Sequence, residues 1–295
     1  VLILGRGDPN AQPDGLVLRN LPPFSSVDSF RRSDGSVVFV QEWVRNTDGS
    51  IRYRRGETWS VLAPGARRSS RFYLFGTDAL GRDLAARIVQ GGKISILVGL
   101  LSAGMAILIG TLIGLAGGLS GGAADGLLMR FTDLSLAIPR LYLALLLVVL
   151  FGPSLLNTIL ILGGTSWMSA ARLVRGQVLA LKESDQVASA RAAGASSIRL
   201  SLLHVFPAVI PPLLVEASLR TGDSILLETS LSFLGLGVQP PTASWGSLIA
   251  DGKNQLLDAW WIATLPGIAI ALTVLLVMNL GSRLGRRSPA VFSES

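Results

Sequence analysis

Hydrophobic and polar positions follow two different rhythms along this chain. From Pro13 to Arg71 apolar residues come singly or in short alternating runs. Val37–Val44 reads as a strand, Asn46-Thr47-Asp48-Gly49 as a turn and Ile51–Arg54 as the returning strand, so residues 13–75 are expected to form a polar segment with a β-hairpin. Leu80, Leu84 and Ile88 then recur at four-residue spacing, the pattern of an amphipathic helix lying on a membrane surface over 76–93. Beyond it the rhythm changes to long apolar blocks. Ile94–Leu119 is 26 residues without a charge, enough to cross a bilayer with tilt. Further spans are expected over 127–151, kinked at Pro139, over 155–178 after a Gly152-Pro153-Ser154 turn, over 205–236 and over 260–280. The pattern therefore predicts an all-α polytopic membrane protein of five spans with a small β-rich insertion.

Composition agrees with that class. Of 295 residues 49% are hydrophobic and 15% charged, and the mean hydropathy is +0.53, too apolar for an ordinary soluble domain. The net charge of +7 does not point to nucleic acid, because 14 of the 26 basic and 9 of the 19 acidic residues are spread over residues 1–93 without a basic stripe. There is no Cys, which excludes disulfides and thiolate chemistry, and the single His204 cannot form a metal cluster. Small residues in the first apolar block, among them Gly99, Ser102, Gly110, Gly114 and Gly118, would let another helix approach closely. Arg130, Arg172, Arg175, Lys182, Arg191, Arg199, Arg283, Arg286 and Arg287 fall at one set of span ends and Lys253 at the other. By the positive-inside rule the 181–207 loop and the tail 283–295 are expected to be cytoplasmic. The Arg-rich residues 6–93 are then extracytoplasmic against the rule, a weak departure because long segments translocate largely regardless of charge.

Two stretches carry candidate function. Between the third and fourth apolar blocks, residues 181–207 hold a helix, a stop and a second helix. Ser184 can cap the first, Asp185 suits its dipole, and Gln186, Val187, Ala188, Ser189, Ala190 and Arg191 continue it to a stop at Gly194. Its Ala-rich surface has low relief, which suits docking into another protein's groove. Within the fourth span lie Glu216, Arg220, Asp223 and Glu228. At 100° per residue the first three fall within about 60° of one another, so Arg220 can pair with both acids. Two readings stay open there: the lining of a substrate path, or an ion-pair network that fixes helix packing. No His or Cys stands nearby to favour a metal.

Four strings carry a family resemblance. The 181–207 stretch resembles the EAA loop of ATP-binding-cassette importer permeases, although the triplet reads Ala188-Ser189-Ala190, so no contact of the usual Glu carries over. Phe75-Gly76-Thr77-Asp78-Ala79-Leu80-Gly81-Arg82-Asp83 is similar to the string that precedes the second span in dipeptide and oligopeptide permeases. Ser230–Gly246 resembles the end of their fifth span with the following outer loop, and Gly7–Gln12 the segment after their first span. The resemblance implies the type I importer fold, with residues 1–12 the tail of a further span ahead of Val1, residues 94–282 the transmembrane domain, and 181–207 its coupling loop. It also implies a related second permease as heterodimer partner, two cytoplasmic ATPases that hold ATP and Mg, and an external substrate-binding protein. No catalytic residue, metal or cofactor is expected in this chain.

The chain's own motifs fit a non-enzymatic subunit. A phosphate-cradling Gly-x-x-x-x-Gly-Lys-Ser/Thr loop is missing, the nearest string being Gly91-Gly92-Lys93-Ile94, and a Ser-His-Asp hydrolase is disfavoured because the single His204 falls in the 181–207 loop. Among importers, nickel and glutathione remain alternative substrates to peptides. From another class, an ATPase-independent channel or scaffold remains, against which the docking loop argues.

Overall fold

A computed structural model describes residues 8–184, 189 and 206–287. By contact density the described chain separates into two compact units, one comprising residues up to Ile94 with Pro240–Ala269, the other Ser95–Gln239 with the residues from Ile270.

The first unit holds two three-stranded antiparallel sheets. β1 (Ser25–Arg31), β2 (Val37–Val40) and β6 (Arg67–Tyr73) form one in the order β2-β1-β6. β3 (Glu42–Arg45), β4 (Ile51–Arg55) and β5 (Thr58–Leu62) form the other. The turn falls where the sequence places it: Gly49 takes φ 82°, Asn46 N–H donates to Ser50 O at 2.9 Å, and Asp48 Oδ1 accepts the Ser50 amide at 2.9 Å. The expected strand 37–44 is corrected to two strands that belong to different sheets, with the switch at Gln41. There Gln41 N–H reaches Arg54 O at 3.1 Å, and its side-chain oxygen accepts Gly56 N–H at 3.0 Å. Phe30 and Val40 of one sheet bury with Ile51, Tyr53 and Leu62 of the other, so the fold of this segment rests on that inter-sheet core.

The expected surface helix over 76–93 is also corrected. Residues 76–83 form a tight capped loop, and α1 begins at Leu84 and runs to Ser120 without interruption. Asp83 Oδ1 accepts the amides of Ala85 at 3.0 Å and Ala86 at 3.4 Å, an N-cap that fixes the start. Inside the loop Asp78 Oδ1 accepts Leu80 and Arg82 amides at 2.9 and 3.0 Å, while its Oδ2 takes Arg82 Nε at 2.6 Å and Arg87 Nη1 at 2.7 Å. These acids and arginines are local caps and ion pairs. α7 (Trp245–Gly252), capped by Ser244, and the first turns of α8 (Trp261–Arg287) complete the unit through Trp245 Nε1 on Ile88 O at 2.9 Å and Trp261 Nε1 on Thr77 O at 3.3 Å.

The second unit is helical. The span expected over 127–151 is instead α2 (Gly122–Ala137) and α3 (Arg140–Phe151), bent by 85°. Pro139 excludes the α conformation at the residue before it, and Ile138 accordingly sits at φ −84°, ψ 122°. The span expected over 155–178 is likewise α4 (Leu155–Gly164) followed by α5 (Trp167–Lys182). Thr165 Oγ1 bonds Ile161 O at 2.7 Å and Ser166 Oγ bonds Leu162 O, occupying carbonyls at the helix end. α6 (Phe206–Phe233) and α8 fall where the fourth and fifth spans are expected, but of the two only α8 is long and apolar enough to cross a membrane by itself. Among the described residues Leu84–Ser120 and Trp261–Gly285 are long and apolar enough to cross a membrane, and the bent α2–α3 pair would be a third only if it forms one span.

The glycine stripe of α1 packs as its small residues foretell. A Cβ built on Gly110, Gly114 or Gly118 would come within 2.6, 2.5 and 2.7 Å of α5 atoms, so only glycine admits this approach. α2 and α5 are further tied by Arg175 to Asp125 at 2.6 and 2.8 Å and by Arg172 to Asp133. Two of the basic residues used to orient the chain are thus ion-paired helix residues rather than loop charges.

Candidate functional site

Of the candidate coupling residues, Asp185, Gln186, Val187, Ala188, Ala190, Arg191 and Gly194 lie outside the described residues. Ser184 follows the last turn of α5, where its hydroxyl donates to Leu181 O at 2.7 Å. Ser189 has helical backbone and is exposed.

The charged residues of the fourth span all fall on α6, a helix that carries them because its pitch places i, i+4 and i+7 on one side. Arg220 Nε stands 2.9 Å from Glu216 Oε1 and Arg220 Nη1 is 3.4 Å from Asp223 Oδ2, the pairing that the spacing predicts. The structure adds a fourth member that sequence reasoning missed. Arg140, in the first turn of α3, places Nη1 on the same Asp223 Oδ2 and Nη2 at 3.3 Å from Leu162 O. The signal was available, since an Arg inside an expected apolar span carries the same warrant as Arg220. The result is a chain of alternating charge, Glu216, Arg220, Asp223 and Arg140, formally neutral in sum.

Glu228 engages other groups. It is fully buried, its Oε2 accepts from Ser95 Oγ of α1 at 3.0 Å and its Oε1 from Ser232 Oγ at 2.7 Å. Of the four α6 candidates, then, three are brought together and the fourth sits at the α1–α6 packing, where Gly99 also lies against Ile225 and Thr221 O. Such a cluster offers cationic and anionic groups side by side and holds no nucleophile–base pair. Among the described residues no group of three or more His, Cys, Asp and Glu side chains is placed to hold a metal ion.

Known proteins of similar sequence and fold can be set beside this geometry. Residues 106–288 match the family described as binding-protein-dependent transport system inner membrane component. A Pseudomonas aeruginosa protein named di/tripeptide transport system permease protein DppC is 41% identical over 72% of this chain and 70% of its own length. An Escherichia coli protein named probable D,D-dipeptide transport system permease protein DdpC is 42% identical over 69% and 68%. In fold, a chain of the inward-facing MetNI methionine ABC transporter superposes with a TM-score of 0.56 at 16% identity, covering 68% of this chain and 94% of that one. A chain of a bacterial ABC transporter for import of the polysaccharide alginate gives 0.51 at 17% identity over 69% and 80%. The helical core with its broken α2–α3 and α4–α5 segments is the type I ABC importer membrane fold, and this chain belongs to the binding-protein-dependent transport system inner membrane component family.

Proposed function

We propose that this chain is one transmembrane half of an ATP-driven importer of dipeptides or short oligopeptides. The observation that carries the reading is the identity of about two residues in five to relatives named as di- and tripeptide permeases, over more than two thirds of each chain. In this reading α1, the α2–α3 pair, the α4–α5 pair, α6 and α8 are five crossings of a bacterial cell membrane. The 181–207 loop and the C-terminus face the cytoplasm, and residues 6–93 face outward.

The chain pairs with a related permease as a heterodimer, docks two cytoplasmic ATPases that hold ATP and Mg, and receives substrate from an external binding protein. Closure of the ATPases pushes the 184–194 segment and rocks the attached spans between inward-open and outward-open states. The work of this chain is conformational, so it supplies no catalytic group. The Glu216–Arg220–Asp223–Arg140 network lines the path, where a partly open mixed-charge cluster can meet a charged solute. The test is co-expression with candidate partner subunits. Co-purification of nucleotide-binding subunits and ATP-dependent uptake of dipeptide into vesicles are expected, whereas a chain that purifies without ATPases and conducts without ATP would replace this reading with a channel.

A further inference from the structure

The network on α3 and α6 is neutral in charge but not saturated in hydrogen bonds. Arg140 Nε is buried without a hydrogen-bond partner, whereas Arg220 Nε and Glu216 Oε1 face each other as an ion pair at 2.9 Å. Both guanidinia converge on a single oxygen of Asp223, and the Asp223 side chain keeps 43% of its surface open while Arg140 keeps 18%. A network whose only task was to hold α3 on α6 would be expected to use its donors up, because each unmet polar group weakens the packing. This one keeps a spare donor, Arg140 Nε, beside an open carboxylate.

We propose that Arg140 receives the free terminal carboxylate of a short peptide while Asp223 takes its terminal ammonium. The proposal rests on the network lining the substrate path, as read above. The chemistry is an exchange of partners. Before binding, Arg140 and Asp223 neutralise each other; with the zwitterion in place, Arg140 faces the peptide carboxylate and Asp223 the peptide ammonium. Site plus ligand stay neutral at both stages, and the unspent Nε–H of Arg140 allows the two-point contact that a guanidinium makes with a carboxylate. A peptide amidated at its C-terminus, or acetylated at its N-terminus, breaks the Arg140–Asp223 pair without replacing both halves. It leaves an uncompensated charge in a poorly solvated place. Selectivity for free termini therefore follows from charge conservation in the site rather than from its shape.

The experiment uses the full chain in complex with its partner permease and ATPases, without the external binding protein, so that the latter's own preferences do not enter. Equilibrium binding of alanyl-alanine is compared with that of its C-terminal amide and its N-acetyl form. The wild-type complex should bind the free dipeptide at least about tenfold more tightly than either capped form. Arg140→Gln/Asp223→Asn, which removes both members and strands neither, should assemble normally and lose the preference. Arg140→Lys should regain part of the discrimination between free acid and amide. Equal binding of free and capped peptide by wild type, no measurable binding of alanyl-alanine, or unchanged discrimination in the double variant would overturn the proposal. Failure of the underlying transport reading shows separately, as no ATP-dependent uptake of any dipeptide when the binding protein is supplied.

Discussion

The indole of Trp245 lies across Gly92 so closely that a Cβ built on that glycine would stand 2.6 Å from Cζ2, while the Trp245 Nε1 proton is donated to Ile88 O at 2.9 Å. The Gly91-Gly92 pair, the nearest this chain comes to a phosphate loop, is instead a helix surface made bare for α7 to rest on. Gly92→Ala should therefore destabilise the folded chain by about 1–3 kcal/mol, the cost of overpacking a close contact. Thermal unfolding in detergent is the measure, and a variant as stable as wild type would show that the indole moves aside freely.

Asp78 should be far more costly to remove than Asp251, although both meet Arg87. Asp78 is 1% exposed and carries Arg82 and Arg87 together, whereas the Asp251 side chain is 44% exposed. Asp78→Ala leaves buried Arg87 with only the half-exposed Asp251 and frees the Leu80 and Arg82 amides, and is expected to cost about 3–5 kcal/mol. Asp251→Ala is expected to stay within about 1 kcal/mol. Folded yield and melting temperature of the two variants, measured side by side, check the ordering.

The α6 charges can be neutralised only with Arg140 included. Glu216→Gln/Arg220→Gln/Asp223→Asn leaves Arg140 without an acid, and an unpaired Arg in a membrane helix costs roughly 2.5–3.5 kcal/mol on insertion scales. Adding Arg140→Gln should restore assembly with the partner permease. If the network lines the path, that fourfold variant assembles and takes up peptide poorly. Normal yield together with normal uptake would identify the network as packing alone.

Acid should loosen the β-rich segment through Asp28. Partial burial raises this carboxyl, but the hydrogen bonds from Arg68 and Trp43 outweigh it and hold the group below the ordinary aspartate value. A depressed pKa contributes stability that is present above the ordinary value and is lost as pH falls through the lower folded one. Asp28→Asn should therefore be less stable than wild type at neutral pH, with the gap closing in acid. Melting curves of both proteins across the acidic range decide it; a gap independent of pH would assign the loss to packing.

Because the chain has no Cys, single cysteines report topology cleanly. Thr47 is exposed in the turn between β3 and β4, and Ser189 is exposed in the 181–207 loop. Thr47→Cys should react with a membrane-impermeant reagent on intact cells and Ser189→Cys only after permeabilisation. The reverse pattern would invert the proposed orientation.

Interactions whose partners lie within one helical turn or one hairpin were legible in the residues themselves. Glu216 and Asp223 pair with Arg220 because helix pitch fixes spacings of four and three residues, whatever the surroundings. The Asn46–Gly49 turn formed because Gly49 tolerates positive φ and Asp48 closes its own loop. Pro139 fixed where α2 must stop. Family membership was also legible, in strings such as Phe75–Asp83 and Ser230–Gly246.

Tertiary structure decided whatever depends on distant partners. Nothing local in Arg140 names Asp223, 83 residues away, as its counter-ion. The 85° turn at Pro139 is likewise set by what α2 and α3 each pack against, since proline dictates a break and not its angle. Strand β6 reads Arg-Arg-Ser-Ser-Arg-Phe-Tyr, without an alternating apolar face, and its place is set by β1 through the register Ser25↔Tyr73 to Arg31↔Arg67. Helical and turn geometry is encoded within a few residues, whereas charge partners, sheet neighbours and bend angles are properties of surfaces that the chain brings together only on folding.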